Sequence, residues 1–215
     1  MITQLNHFID NKLEEGTSFE IDNKIVAIIK QFIRDEDYFE FIASVGNGGF
    51  FFGQSLQFYS LVKEDEKFRS ILSVNNTLKE EFSFLFEELY SFAQDIFGNQ
   101  FAFNLDNGTV IFFNIETGSR EVLAQGFKEW LNVLIADLEY FTGMSYEKEW
   151  KDRYPISLDQ RLQPKIPFVI GGDYAIGNFY VNDYPGYLLY NADIAKQVYN
   201  LKDGEKVKLK IKGLE

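Results

Sequence analysis

Residues 46–49 read Gly-Asn-Gly-Gly and are followed by Phe50, Phe51 and Phe52. Glycine-rich loops of this kind can cradle phosphate, because backbone N–H groups converge on an anion where no Cβ stands in the way. That chemistry needs a loop that leaves a strand and opens a helix, and here the order is reversed. Tyr38, Phe41, Ile42 and Val45 form a helical stripe before the cluster, and a strand-like run from Phe50 to Leu61 follows it. The segment also has neither the Lys-Ser/Thr ending of a P-loop nor the GxGxxG spacing. Gly46 stands where a C-cap glycine ends a helix, so the cluster is expected to be a turn.

The remaining candidates for chemistry are sparse. His7 is the single histidine, which gives nucleophilic pairs little support and a zinc site no motif. Carboxylates are adjacent at Glu14-Glu15, Asp35-Glu36-Asp37, Glu64-Asp65-Glu66, Glu80-Glu81 and Glu87-Glu88, all in polar runs. A glycosidase needs one of its two acids buried and raised in pKa, and nothing marks such a pair. Asp95 and Asp173 are isolated in apolar surroundings; the first is expected to cap or turn the end of its helix, the second to make an Asx-turn beside glycines. The lysines at 206, 208, 210 and 212 alternate, as on a solvated strand face that blocks edge pairing.

The elements that must position these residues follow from periodicity. Ile25, Ile28, Ile29, Phe32 and Ile33 predict a helix from about Asn23 to about Arg34. Phe82, Leu85, Phe86, Leu89 and Tyr90, with Phe92 and Ala93, suit a second helix with a Glu-rich outer face. Phe101, Phe103 and Leu105 alternate up to a turn at Asp106-Asn107-Gly108, and Val110, Phe112 and Ile115 continue beyond it. A further turn at Glu116-Thr117-Gly118 makes this a three-stranded meander. Phe127, Trp130, Leu131, Leu134, Ile135 and Leu138 then give the strongest helical pattern, ending near Thr142-Gly143. All four prolines lie in the last third, which reads as loops and short strands before a final helix at roughly 192–201.

At 215 residues the chain can bury a large core without covalent staples. It has no cysteine, which excludes disulfides and thiolate metal sites and fits a reducing compartment. With no secretory leader pattern at its N-terminus and no apolar run of membrane-spanning length, it is expected to be a soluble cytoplasmic protein. The net charge of −12 opposes binding to nucleic acid or to anionic membranes. The acidity is concentrated in residues 1–150, which carry 25 Asp and Glu against 11 Lys and Arg, whereas residues 151–215 carry 8 against 10.

The order of "DYFEFIASVGNGGFF" and "FAQDIFGNQFAFNLDNGTVIFFNIETGSREVLAQGFKEWLNVL" resembles the SUKH superfamily of Smi1/Knr4-type proteins, over about Asp22 to Gly143. The segment "PFVIGGDYAIGNFYVNDYPGYLLYNADIAKQV" is similar to the C-terminal extension of immunity proteins related to that group. The resemblance implies an α+β fold with a mostly antiparallel sheet flanked by helices: residues 1–145 as the family domain and 146–215 as an extension packed on it. It implies no catalytic residue, no metal and no cofactor, and makes Gly46, Gly48, Gly49, Gly98 and Asn99 markers of the fold. Bacterial members are mainly cytoplasmic immunity proteins that block a cognate toxin, often a nuclease or deaminase; fungal relatives act in cell-wall signalling.

The resemblance and the charge meet in one expectation. An inhibitor of a nucleic-acid-cleaving toxin covers a cationic cleft, and an acidic surface both steers the encounter and competes with substrate phosphates. The expected contact residues are Asp35, Glu36, Asp37 and Glu40, together with Glu64, Asp65 and Glu66, and Tyr38 and Tyr59 serve as aromatic anchors. The partner is then a basic protein toxin. The alternative is a scaffold or regulatory module of the same fold with a host partner.

Overall fold

The computed structural model describes residues 4–13, 20–62, 69–202 and 204–210. Its centre is a six-stranded sheet in chain order, β1 (Gly49–Phe51), β2 (Leu56–Phe58), β3 (Leu89–Asp95), β4 (Gln100–Asn104), β5 (Val110–Phe113) and β6 (Arg120–Ala124), with every neighbouring pair antiparallel. The expected α+β class and the three-stranded meander at β4 to β6 are both present.

One face of the sheet carries the aromatic core. α1 (Leu5–Asp10), α3 (Glu36–Ser44) and α5 (Phe127–Ala136) cover it, and Phe8, Phe41, Phe58, Phe92, Phe127 and Trp130 touch edge to face or tilted at 4.9–6.4 Å between ring centres. Such pairs each contribute about 1 kcal/mol beyond the area they bury. α2 (Asn23–Ile29) buries Ile25 and Ile29 and ends earlier than its apolar stripe, in turns that carry Phe32 and Ile33.

The opposite face is covered by α4 (Ile71–Phe82) and by the last third of the chain. That third contributes the hairpin β7 (Gln160–Pro164) and β8 (Phe179–Asp183) and α8 (Gly186–Val198). α6 (Leu138–Thr142) and α7 (Met144–Lys151) connect the two halves through the left-handed Gly143. Tyr187, Leu188, Ala192 and Ala195 of α8 belong to the main hydrophobic core. No helix among the described residues is long and apolar enough to cross a membrane.

Several sequence expectations need correction. The helix expected across Phe82 to Tyr90 ends at Phe82; a short 3-10 turn, Ser83–Phe86, separates it from β3. Ser83 and Glu88 take positive φ (52° and 57°) and break the backbone, while β3 is buried at all seven positions. A strand buried on both faces has no alternation to reveal it. The run from Phe50 to Leu61 is two short strands around a turn in which Phe52 and Gly53 have positive φ. The pattern that was to run to Thr142 breaks at Asp137 into α5 and α6, and the last helix begins at Gly186. Lys206, Lys208 and Lys210 are exposed but not in a strand, and Lys212 lies outside the described residues.

The glycine cluster is a turn, as expected. Asn47 N–H bonds the Ile42 carbonyl and Gly46 N–H the Ala43 carbonyl, the paired bonds that close a helix on a left-handed residue. Lys12 adds its ammonium to the Val45 carbonyl at 2.6 Å, neutralising the helix end. Gly48 is required for space as well as for its φ of +84°: a Cβ there would lie 2.9 Å from the Phe58 carbonyl oxygen.

Candidate protein-binding face

α3 separates its side chains by amphipathic spacing. Tyr38, Phe39, Phe41 and Ile42 are buried, while Glu36 and Glu40 are exposed and Asp37 is half-buried. Glu36 is paired with Lys30 at 2.8 Å in open solvent, where an ion pair contributes little. Asp35 differs from its neighbours. Its Oδ1 accepts the Tyr38 N–H at 3.2 Å, capping α3, and its Oδ2 accepts the Phe127 N–H at 2.8 Å at the start of α5.

The expected aromatic anchors are corrected by their burial. Tyr38 and Tyr59 both have 0% exposure. Tyr38 lies among Phe39, Phe92, Phe103 and Phe127 on the core face, and burial pushes its hydroxyl well above the usual tyrosine range. Tyr59 faces the other side of the sheet and donates to Gln100 at 2.7 Å. Glu64, Asp65 and Glu66 lie outside the described residues.

Beside the start of α3 opens a cleft of about 360 Å³, lined by Phe32, Arg34, Asp35, Asn104, Asp106 and Gln125 among others. On its flank Phe32 stacks on Tyr90 at 4.9 Å, and the Lys79 ammonium lies 5.2 Å from both rings. Asp35 already accepts two backbone donors, and Asp106 is exposed on the β4–β5 turn. The cleft therefore offers polar groups to a side chain from outside, without a buried acid poised to transfer a proton.

Two buried carboxylates do have raised pKa values, and both serve structure. Asp95 is 3% exposed, and burial raises it to about 7 against the pull of three donors: the N–H groups of Phe97 and Asn99 and the Asn99 amide, each at 2.8 Å. It closes the β3–β4 turn, so it ends a strand and not a helix. Glu116 is raised by burial and accepts the Val169 N–H at 2.5 Å. Asp173 is exposed and accepts the Ala175 N–H in the expected Asx-turn, and His7 is exposed with its ring 5.2 Å from Phe52. No group of three or more metal-ligating side chains occurs among the described residues.

Sequence reasoning missed a polar layer under the last third. Facing strands place Gln57, Gln94 and Gln100 in one row across β2, β3 and β4. Arg161 of β7, 1% exposed, lies over this row. It hydrogen-bonds Gln57 and the carbonyls of Leu158 (3.1 Å) and Gln160 (2.5 Å), and it forms no ion pair among the described residues. The Tyr187 hydroxyl lies 2.8 Å from the Gln94 amide. A polar residue repeating on otherwise apolar strands was the available signal. Nearby, Glu147 of α7 accepts the Gln54 N–H at 3.2 Å, clamping the β1–β2 turn.

Residues 25–133 match the sequence profile of the SMI1/KNR4 family (SUKH-1). A comparison with curated proteins finds no match. Among solved structures, that of Atu4351 from Agrobacterium tumefaciens is similar with a TM-score of 0.61 and 19% identity, over 92% of this chain and 89% of that one. At that identity the likeness speaks for the fold. The family is associated with immunity proteins, in general non-catalytic ones, and so with a protein partner.

Proposed function

The chain belongs to the SMI1/KNR4 family (SUKH-1), and from that premise we propose that it is a non-catalytic immunity protein that binds and neutralises a cognate bacterial toxin. The toxin is a basic protein, most simply a nuclease, acting in the cytoplasm where this chain meets it. The acidic side of α3 is the proposed contact face, through Glu36, Asp37 and Glu40. The observation that carries this reading is the sorting of α3: every large apolar side chain is turned into the core, while Glu36, paired with Lys30, and Glu40 are exposed and Asp37 is half-buried.

A net charge of −12 speeds the encounter with a cationic partner and slows it with nucleic acid. Such steering falls with ionic strength, because exposed charges are screened within about 8–10 Å at physiological salt. Asp35 supports the face without offering its charge, since both its oxygens hold backbone donors. Glu64, Asp65 and Glu66, on the other side of the glycine turn in sequence, lie outside the described residues and add only their charge to this reading.

The test is the triple charge reversal Glu36→Lys, Asp37→Lys, Glu40→Lys. The reading expects a basic partner to bind at least about tenfold more weakly, a loss of about 1.4 kcal/mol or more, with folding retained. Unchanged affinity sinks the proposed face.

A further inference from the structure

α4 ends in a strained turn. Ser83 and Glu88 both take positive φ, a conformation that residues with side chains rarely adopt, and they bracket the segment between α4 and β3. Within it Leu85 and Phe86 are buried, whereas Phe84 is 48% exposed. The Arg120 guanidinium holds this shape from β6, donating to the Leu85 carbonyl at 2.8 and 3.1 Å and to the Phe84 carbonyl at 3.4 Å. Phe84 meets Tyr199, just beyond α8, edge to face at 4.9 Å. Tyr199 is 44% exposed, and Leu201, two positions on, is 38% exposed. Apolar side chains standing together in solvent mark an interaction surface, and a pinned turn loses little freedom when it is covered.

The charges around this pair are sorted by sign. On the side of α4 and β3, Glu80, Glu87 and Glu88 are exposed and Glu81 is half-buried, and none is ion-paired among the described residues. The cations of this side are engaged: Arg120, beside Glu87 and Glu88, is bound to the two carbonyls, and Lys79 lies over the rings of Phe32 and Tyr90. On the side of α8 the chain turns after Leu201, where the Glu205 N–H bonds the Lys202 carbonyl at 3.0 Å. It then returns to α8, whose Gln197 amide donates to the Lys210 carbonyl at 2.8 Å and accepts the Lys210 N–H at 2.9 Å. Val207 and Leu209 are half-buried, and Lys202, Lys206, Lys208 and Lys210 are exposed and form no ion pair among the described residues. The acids on this side are Glu205 and the half-buried Asp193.

A partner of one sign meets like charge on half of this surface. A second copy, turned about a two-fold axis through the aromatic pair, sets each acidic side against the other copy's lysines. The net charge of −12 on each copy does not decide the contact, because exposed charges more than about 8–10 Å apart are screened at physiological salt. We propose that the chain self-associates as a symmetric dimer through Phe84 and Tyr199, with the glutamates of the α4 end and β3 start facing the partner copy's lysine segment. The inference is independent of the toxin reading and of the α3 face.

The test is sedimentation velocity of the full chain over a range of concentrations at low and high salt. Three variants are compared with wild type: Phe84→Ser, Tyr199→Ser; Glu80→Lys, Glu87→Lys; and Lys206→Glu, Lys208→Glu. Wild type is expected to show a monomer–dimer equilibrium with Kd below about 100 µM that weakens as salt rises. Each variant alone is expected to self-associate at least about tenfold more weakly. An equal mixture of the two charge variants is expected to recover the dimer, because a wholly basic surface then meets a wholly acidic one. If the aromatic variant unfolds, Tyr199→Ser alone replaces it. A monomer throughout overturns the proposal, as does a dimer left unchanged by any one of the variants, or a mixture that associates no better than its components. The photocrosslinker benzoylphenylalanine at position 199, in the source cells, is expected to give an adduct with a second copy; an adduct only with another protein or with lipid, or none, overturns the proposal.

Discussion

Asp35 Oδ2 accepts the N–H of Phe127 at 2.8 Å across 92 positions of sequence, while its Oδ1 accepts the N–H of Tyr38 at 3.2 Å. One carboxylate thereby closes the N-termini of α3 and α5, whose rings meet between Tyr38 and Phe127 at 5.4 Å. The acidic run is thus divided: Asp35 joins two helices, whereas Glu36, Asp37 and Glu40 make up the proposed contact face.

Replacing Asp35 by alanine removes both caps. Each N-cap contributes about 1 kcal/mol, so Asp35→Ala is expected to lower stability by about 2 kcal/mol, and Asp35→Asn, which keeps one acceptor, by about half of that. Urea unfolding with a shared m-value measures both. A loss in Asp35→Ala within about 0.5 kcal/mol of zero would mean that water replaces the carboxylate at both helix ends.

Two glycines separate conformational strain from lack of space. Gly48 (φ +84°) has the Phe58 carbonyl 2.9 Å from where a Cβ would stand, whereas Gly108 (φ +75°) has nothing within 4 Å. Gly108→Ala is expected to cost about 1 kcal/mol from the left-handed conformation alone, and Gly48→Ala clearly more, about 2–4 kcal/mol. Equal midpoints in denaturant would contradict the close approach at Gly48.

Asp95 makes stability depend on pH. Its folded-state pKa, about 7, lies above the ordinary 3.8 because burial disfavours the charge, so the folded chain holds the proton more tightly than the unfolded one. The stabilisation is complete below about pH 4 and is lost as pH rises through about 7. Relative to Asp95→Asn, wild type is therefore expected to lose stability between pH 5 and pH 8 in equilibrium unfolding. A constant difference across that range would show that the three donors outweigh burial.

Arg161 is a buried cation held by amide and carbonyl oxygens. Arg161→Ala leaves a cavity and unsatisfied amides over β2 and β3 and is expected to destabilise by about 3 kcal/mol. Arg161→Met keeps the bulk of the stem and removes the charge, so its expected loss is smaller. Thermal unfolding ranks the two, and an equal loss would assign the stability to the charge and not to packing.

The meander was legible because β4 and β5 alternate around Asp106-Asn107-Gly108, a turn whose chemistry is local. The same holds for the Gly46 turn, where helical spacing, glycine and strand follow in order. β3 was not legible, since burial on both faces removes its period. In the proposed face, exposed Glu36 and Glu40 could be recognised from polarity and spacing, but the fate of Tyr38, Tyr59 and Asp35 depended on partners 41 to 92 positions away. Arg161 was equally hidden: nothing adjacent to it announces the glutamine row that receives it.

The central claim is tested most directly by affinity capture with the full chain and with its Glu36→Lys, Asp37→Lys, Glu40→Lys variant from lysate of the source cells, at low and high salt. Bound proteins are identified by mass spectrometry and assayed for nuclease activity with and without the chain. The account predicts a basic toxin, held by wild type, released as salt rises, lost from the variant and silenced in proportion to the amount of chain bound. Capture of host regulators alone, or of a toxin held equally well by both forms, would contradict it.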